Sequence, residues 1–332
     1  VATQLTGNAW PAALGHLLTQ QISEPLEEQE LRATIANLTP VQDETSRQVQ
    51  KQYEENPYPR WRRAAPETPD TIAHFLAGKF PGFQPPAAMR DILVAGCGTG
   101  QEPITLARQI QTRAITAIDL SRASLAYGRY RAGQLDLGHR IDFIQADILS
   151  LPPSDQRFHV ISCSGVLHHL ADPPRGWRTL RDRLHPGGLM FVSLYSEHAR
   201  RSLAQARQQA QASGYSSDPA SMRLMRAGIL SGQHPAWIPL TRWRDFFSMS
   251  MFRDLVFHAH EQAYTFARIE AEIEAVELRC VGLHALPDAA LQAYQQRFPD
   301  DAQGLRLGNW GALEAQHPEL FASMYHLVLQ AA

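Results

Sequence analysis

Three glycines and two aspartates at the ends of apolar runs are the residues whose types and spacing best suit chemistry. Gly96, Gly98 and Gly100 follow one such run, and Asp119 and Asp147 each follow another. Glycine lacks a Cβ atom and adopts positive φ, so its backbone can approach a ligand closely. A carboxylate at the end of the next strand can accept hydrogen bonds from both hydroxyls of a ribose. These residues therefore predict a nucleotide site, although Gly-x-Gly-x-Gly alone is a weak signal.

The elements that would position these residues alternate regularly along the chain. Apolar runs with the composition of buried strands occupy 92–95, 114–118, 141–146, 158–163 and 189–195. Helical patterns separate them, including 101–111 and the segments that begin at Ser121 and Asp172. This alternation predicts a parallel sheet with right-handed crossovers, whose ligands bind at the carboxyl ends of the strands. The glycines, Asp119, Asp147 and Gly165 all fall at that edge.

The alternation stops after the fifth of these strands. Residues 196–263 carry helical patterns and no strand pattern, which predicts a lid or a substrate-selecting cap. Residues 278–283 and 325–329 are predicted as the sixth and final strands, with 288–324 mostly helical. We therefore expect an α/β fold with a helical cap inserted after strand five.

The N-terminal segment, residues 1–62, is predicted to be helical and to end in a strap rich in proline. Three helices are expected over 10–56, the second beginning at Ser23 and the third at Thr39, which has a capping-box spacing with proline at the first helical position. The hexapeptide 56–61 contains two prolines and cannot be regular structure. It is either a stiff linker or a rigid strap that presents Tyr58, Arg60 and Trp61 to a ligand.

Composition excludes several classes of protein. The formal net charge is −2, from 31 basic and 33 acidic residues, so the overall charge of the protein does not favour binding to nucleic acid. No apolar run approaches the roughly 20 residues of a membrane span, and the start lacks the features of a signal peptide. Cys97, Cys163 and Cys280 are far apart and match no metal spacing, so we expect no metal site and a cytoplasmic setting.

Five successive motifs resemble those of class I S-adenosylmethionine-dependent methyltransferases. In order, they are 94–100 (VAGCGTG), 117–121 (AIDLS), 145–148 (QADI), 165–170 (GVLHHL) and 186–188 (PGG). The flanking segments 24–28 (EPLEE), 53–61 (YEENPYPRW) and 253–258 (RDLVFH) are similar to a bacterial subgroup whose methyltransferase domain often follows tetratricopeptide repeats. The resemblance implies a Rossmann-like, seven-stranded, mostly parallel sheet with an antiparallel last strand, and a methyltransferase domain over 63–332.

The same resemblance implies that S-adenosylmethionine is the cofactor and S-adenosylhomocysteine the product. The glycine turn would lie near the methionyl part, Asp119 would hold the ribose, and Asp147 with Ile148 the adenine. The residues predicted to bind the cofactor are Gly96, Cys97, Gly98, Thr99, Gly100, Asp119, Leu120, Asp147, Ile148, Ser164, Gly165 and Val166.

Candidates for the catalytic and substrate-binding residues come from the strap, the 165–170 motif and the cap. Asp254, His258 and Glu261 have the i, i+4, i+7 spacing of one helical face, which suits either a base with its orienting group or a solvated acidic face. His168 is either catalytic or a capping and packing residue. The predicted catalytic residues are Tyr58, His168, Asp254 and His258. The predicted substrate-binding residues are Tyr53, Arg60, Trp61 and Glu261.

Three functions remain open on the sequence. The first is methyl transfer to an oxygen or nitrogen of a small molecule or of a peptide or protein side chain. The second is hydride transfer by an NAD(P)-dependent oxidoreductase, which would require Gly-x-Gly-x-x-Gly, whereas Gly100 follows Thr99 at once. The third is a cofactor-binding scaffold or regulator without catalysis.

Overall fold

A computed structural model describes residues 10–68, 70–71, 74, 76, 90–111, 114–318, 320–321 and 324–331. Its centre is an eight-stranded sheet in the order β1-β6-β5-β3-β7-β8-β10-β9. The strands of this sheet are β1 Ala36–Asn37, β3 Asp91–Ala95, β5 Ala114–Asp119, β6 Ile141–Gln145, β7 Phe158–Ser164, β8 Leu184–Tyr195, β9 Leu278–Leu283 and β10 Met324–Ala331. The short strands β2 Asp70–Thr71 and β4 Ile110–Gln111 pair with each other. The linker or helix predicted over 62–90 falls largely outside the described residues.

The predicted Rossmann-like α/β sheet is confirmed. The neighbouring pairs β3/β5, β3/β7, β5/β6 and β7/β8 are parallel, and β10 runs antiparallel to both β8 and β9. The seven predicted strands are present, and β1 of the N-terminal segment adds an eighth by pairing with β6. Apolar side chains cover both faces of the sheet, as buried parallel strands require.

Twelve α-helices surround the sheet in the described part of the chain. They are α1 Ala12–Leu18, α2 Glu24–Thr34, α3 Glu44–Glu55, α4 Gln101–Gln109, α5 Arg122–Gln134, α6 Pro173–Arg181, α7 Glu197–Ala212, α8 Pro219–Leu230, α9 Met249–Phe257, α10 Phe266–Glu274, α11 Asp288–Arg297 and α12 Leu307–Glu314. None of the described helices is long and apolar enough to cross a membrane.

The second N-terminal helix begins at Glu24, directly after Ser23 as predicted, whereas the third begins later than predicted. A π-helical turn at Thr19–Ser23 joins α1 to α2, and Ser23 has helical φ and ψ without a capping hydrogen bond. The third helix begins after Asp43, whose side chain accepts from the N–H of Ser46, instead of at Thr39. Thr39 is buried, and its hydroxyl accepts a hydrogen bond from the Asp147 N–H. A tertiary contact thus replaces the predicted cap.

The insertion after β8 forms a helical cap with a core of its own. Helices α7, α8 and α9 and the 3₁₀ turns between them enclose apolar side chains that include Phe246 and Phe252. The two ends of the insertion lie side by side. Ser196 forms a β-bridge with Tyr264, and the Glu197 N–H donates to the Tyr264 carbonyl. Helix α9 ends at Phe257, so Asp254, His258 and Glu261 do not share one helical face as predicted. His258 is the C-cap with an extended ψ of 136°, which sends the chain away from the helix axis.

Candidate active site

The glycine turn after β3 has the backbone conformation that its sequence predicts. Gly96, Gly98 and Gly100 have φ values of 76°, 52° and 78°. A Cβ atom on Gly100 would lie 2.8 Å from the Gly128 Cα of α5, so close packing also requires glycine there. The Gly98 N–H donates to Asp119 Oδ2 at 2.8 Å, which joins the turn to the end of β5.

Asp119 holds two backbone N–H groups at the carboxyl edge. Its Oδ1 accepts from the Ser121 N–H at 2.8 Å, while Oδ2 accepts from Gly98. Burial raises the pKa of the Asp119 carboxyl to about 6, although the hydrogen bonds from Ser121 and Gly98 favour the ionised form. The carboxylate thus has a fixed orientation beside the glycine turn.

Asp147 is a fully buried carboxylate with one oxygen that lacks a hydrogen-bond partner. It caps the short 3₁₀ turn after β6, and its Oδ1 accepts from the Leu149 N–H at 2.9 Å. Oδ2 has no hydrogen-bond partner among the described residues. Burial raises the pKa of this carboxyl. An orphaned buried oxygen costs free energy unless a bound group donates to it.

A cavity of about 670 Å³ lies along the carboxyl edges of the strands, a size within the usual range for small-molecule sites. It brings together most of the residues predicted to bind the cofactor, from four separate strand ends. Those that line it are Gly96, Cys97, Gly98, Asp119, Leu120, Asp147, Ile148, Ser164, Gly165 and Val166. Thr99 and Gly100 are buried behind the turn and do not line the cavity.

Tyr53, Tyr58 and Asp254 also line the cavity, on elements outside the sheet. The Tyr53 hydroxyl of α3 donates to Asp254 Oδ1 of α9 at 2.9 Å. The Tyr58 hydroxyl donates to Asp245 at 3.3 Å. Burial raises the pKa of Asp254 to about 6, against the hydrogen bond from Tyr53. The N-terminal segment and the cap therefore meet over the strand ends.

Two predicted substrate-binding residues of the strap point elsewhere. Trp61 is buried, and its indole N–H donates to the Thr99 carbonyl at 3.0 Å, behind the glycine turn. The Thr99 hydroxyl donates in turn to the Pro59 carbonyl. Arg60 pairs with Glu28 at 2.6 Å and lies over the Tyr127 ring. Neither Trp61 nor Arg60 lines the cavity, so this part of the strap supports the turn.

Glu261 forms a buried ion-pair cluster behind the cavity. Its carboxylate lies 3.1 Å from Arg200 and 2.7 Å from Arg207. Arg207 also donates to the carbonyls of Asp254 and Leu255 at the end of α9. Glu261 thereby ties α7 to α9, and it does not line the cavity as a substrate-binding residue would.

His168 and His258 are enclosed in a stack of rings. His168 stacks on Tyr195 with ring centroids 3.9 Å apart, and His258 stacks on His169 at 3.8 Å. The side chain of His258 has no exposed surface, and burial lowers its pKa to about 3. Burial also lowers the pKa of His168. Neither ring lines the cavity, whereas the neighbouring His169 of the same 165–170 motif does.

Sequence reasoning missed the polar row that crosses β7, β8 and β10. Ser164 pairs in register with Ser193, and Ser193 with His326. Their side chains form a hydrogen-bonded chain, with Oγ atoms of the two serines 3.1 Å apart and Ser193 Oγ 2.8 Å from His326 Nδ1. All three line the cavity, as does Tyr195 at the end of β8. Polar residues inside otherwise apolar strands were the signal for this wall.

Comparison with known proteins identifies the central part of this fold. A family profile described as "Methyltransferase domain" matches residues 92–188, which contain the glycine turn, Asp119, Asp147 and Ser164. Residues 92–188 therefore match a methyltransferase domain. They span β3 and most of the sheet, up to the middle of β8.

The chain is similar in part to bacterial proteins. It is 37% identical over 131 residues to an uncharacterised protein of Synechococcus sp., covering 40% of this chain and 30% of the relative. It is 31% identical over 114 residues to the ubiquinone biosynthesis O-methyltransferase of Azotobacter vinelandii, covering 34% of this chain and 47% of the relative. The chain thus spans half or less of the curated relatives that it matches.

A solved structure resembles the chain over a longer stretch. PKMT2 from Rickettsia typhi, in complex with AdoHcy, has a TM-score of 0.57 and 17% sequence identity. The match covers 80% of this chain and 54% of PKMT2. At this identity the likeness establishes a shared fold.

Proposed function

We propose that this chain is an S-adenosylmethionine-dependent methyltransferase acting on an oxygen or nitrogen of a small molecule or of a peptide side chain. The observation that carries the proposal is the buried Asp147 with its unpartnered Oδ2, in the same cavity as the glycine turn and Asp119. Asp147 Oδ2 accepts from the adenine amino group, and Ile148 packs beside the ring. Asp119 accepts from the ribose hydroxyls.

The cofactor supplies a methyl group on a sulfonium, whose departure needs no proton. The residues of the chain therefore have to orient the acceptor, exclude water and remove a proton from it. The helical cap and the N-terminal segment contribute lining residues to the cavity, so we assign water exclusion to Tyr53, Tyr58 and the cap residue Asp254. Burial raises the pKa of Asp254 to about 6, which suits a proton acceptor. Asp119 has a pKa raised to the same value but is assigned to the ribose, so Asp254 is the residue that we propose to accept the proton.

Among the residues predicted to be catalytic, the geometry favours Asp254 and Tyr58 over the two histidines. Asp254 and Tyr58 line the cavity, whereas His168 and His258 lie in the ring stack behind it. His258 contacts the Tyr53 hydroxyl through Nε2 at 3.1 Å, which suits an orienting role. We therefore assign Tyr53 and Tyr58 to shaping the acceptor side and His258 to holding Tyr53.

Calorimetric titration tests the proposed function. S-adenosylhomocysteine should bind with measurable heat, and reduced nicotinamide cofactors should not. The reverse result would favour the oxidoreductase. Incubation with methyl-labelled cofactor and pools of peptides and metabolites should then transfer label. Cofactor binding without any labelled product would favour the non-catalytic scaffold.

A further inference from the structure

The cavity wall formed by α3, β8 and α9 carries a carboxylate with one oxygen uncommitted. Asp254 is 7% exposed and lines the cavity. Both hydrogen bonds that its side chain accepts, from Tyr53 at 2.9 Å and Gln52 at 3.3 Å, end on Oδ1. Within the described part of the chain, Oδ2 accepts none. The carboxylate is therefore held in place through one oxygen and presents the other to the cavity.

Three tyrosines surround this carboxylate. Tyr53, Tyr58 and Tyr195 line the same cavity. Burial raises the pKa of each phenol, and the nearby Asp254 charge raises each further, so all three stay neutral. The Tyr195 hydroxyl forms no hydrogen bond with another described residue and is free to contact a ligand. The wall thus combines one negative charge with neutral, electron-rich rings and hydroxyls.

The charges around the rest of the cavity have one sign. Glu102, Asp119, Asp147 and Asp254 are among its lining residues, and no lysine or arginine of the described residues lines it. Burial lowers the pKa of the lining His169 and His326, which are therefore neutral at pH 7. Such a lining repels carboxylates and phosphates and attracts cations.

Two arginines close to this wall, Arg200 and Arg207, are already paired. Arg200 lies over the Tyr195 ring at 3.5 Å and pairs with Glu261, as Arg207 does. Arg207 donates a hydrogen bond to the backbone carbonyl of Asp254 and not to the Asp254 carboxylate. His168 covers Tyr195 in a stacked contact, so this ring presents its hydroxyl to the cavity. The Asp254 carboxylate therefore keeps its charge available to a ligand.

We propose that Asp254, with Tyr53, Tyr58 and Tyr195, binds the ammonium group of a primary amine, and that this amine is the methyl acceptor. This inference rests on the proposed methyltransferase function and specifies its substrate class. An ammonium group donates to Asp254 Oδ2 and to the phenol oxygens, and it is attracted to aromatic rings. A hydroxyl acceptor would leave the charge of Asp254 without a cation, and a carboxylate would be repelled.

The same carboxylate completes the chemistry. The ammonium nitrogen gives one proton to Asp254 Oδ2, and its freed lone pair forms a bond to the methyl carbon. The carbon–sulfur bond breaks with its electron pair on sulfur, which leaves a neutral thioether. The product is a secondary ammonium ion, and Asp254 releases its proton to solvent.

Ligand-observed NMR on protein saturated with S-adenosylhomocysteine tests the amine site without knowledge of the natural acceptor. The probes are n-butylamine, which is cationic at pH 7.5, and n-butanol and butyrate of the same chain length. We expect n-butylamine to bind at least tenfold more tightly than either control. Asp254→Asn, which keeps the two hydrogen bonds on Oδ1, should abolish this preference.

Glu55→Gln is the matched control. Glu55 pairs with Arg253 across the same two helices, at 2.7 Å, and does not line the cavity, so this variant should keep the preference for n-butylamine. Equal binding of the three probes, or a preference that survives in Asp254→Asn, would overturn the inference. Absence of S-adenosylhomocysteine binding by the unmodified protein would instead overturn the proposed function.

A second titration separates the acceptor from the ammonium group of the cofactor itself. Asp254→Asn should bind S-adenosylhomocysteine and methylthioadenosine, which lacks the amino-acid part, as tightly as the unmodified protein does. If the variant lost affinity for S-adenosylhomocysteine alone, Asp254 would serve the cofactor and the amine-acceptor inference would be wrong.

Discussion

Asp147→Asn should change which base the cofactor site accepts. In the unmodified protein, Asp147 Oδ1 is committed to the Leu149 N–H, and Oδ2 has no partner among the described residues. We assign Oδ2 to the amino group of adenine. In the variant, the asparagine side-chain oxygen can keep the hydrogen bond to Leu149. The asparagine NH₂ group then faces the amino group of adenine, and both of these groups are hydrogen-bond donors.

The expected loss follows from the value of a hydrogen bond to a charged group, about 1.5–3 kcal/mol. S-adenosylhomocysteine should therefore bind roughly tenfold to a hundredfold more weakly. S-inosylhomocysteine carries a carbonyl oxygen where adenine has its amino group. The asparagine NH₂ group can donate to that oxygen, so the preference between the two ligands should move towards the inosine compound.

Calorimetry with both ligands measures this shift, and thermal unfolding checks that the variant is folded. Asp142→Asn is a suitable control, because Asp142 lies on β6, the strand that precedes Asp147, and is exposed. Unchanged affinity for S-adenosylhomocysteine would refute the assignment of Asp147. A loss of affinity that is equal for both ligands would show that Asp147 acts on the structure of the site and not on the base.

Three further predictions concern the turn, the strap and the ribose site. Because burial raises the pKa of Asp119 to about 6, its carboxylate is protonated below that pH, and affinity for S-adenosylhomocysteine should fall up to tenfold per pH unit there. Asp119→Asn should bind weakly at every pH. Tyr58→Phe should slow methyl transfer to n-butylamine without lowering the melting temperature. Gly100→Ala should destabilise the protein by about 2–4 kcal/mol, because it combines positive φ with a contact of 2.8 Å.

Each of these predictions has its own check. Titration of S-adenosylhomocysteine between pH 5 and 8 should give an affinity that is constant above about pH 7. A constant affinity down to pH 5 would contradict the role of Asp119. If Tyr58→Phe transferred methyl groups at the rate of the unmodified protein, the Tyr58 hydroxyl would have no role in the reaction, and the ring would serve only in packing. Urea unfolding of Gly100→Ala is compared with Gly138→Ala, since a Cβ on Gly138 meets no atom within 4 Å. Equal stability of the two glycine variants would refute the steric argument.

The meeting of the strand-end residues that we propose to hold the cofactor could be predicted from the sequence, because its signals are local. Gly96, Asp119, Asp147 and Gly165 each follow a buried strand, and strand ends in a parallel sheet meet at one edge. Because of this topology, four positions that are far apart in the sequence lie in one wall of the cavity. The helix caps Asp172 and Asp218 were predictable for the same reason, because each satisfies N–H groups within three residues of itself.

The acceptor side could not be read in this way. Glu261 had helical spacing with Asp254, but α9 ends at Phe257 and Glu261 pairs with Arg200 and Arg207 of α7. Thr39 had the spacing of a capping box, yet it bonds to Asp147, 108 residues away. In each case a contact between distant residues overrode a local preference.

The sequence by itself therefore determined the sheet, the glycine turn and the acids at the strand ends, because period, turn chemistry and capping act between near neighbours. Only the tertiary structure decided which polar groups face the cavity. Trp61 was turned behind the glycine turn, Tyr195 was brought to its wall, and Asp254 was left with one free oxygen. These outcomes depend on how the cap and the N-terminal helices pack against the sheet, and packing between distant segments leaves no periodic signal in the chain.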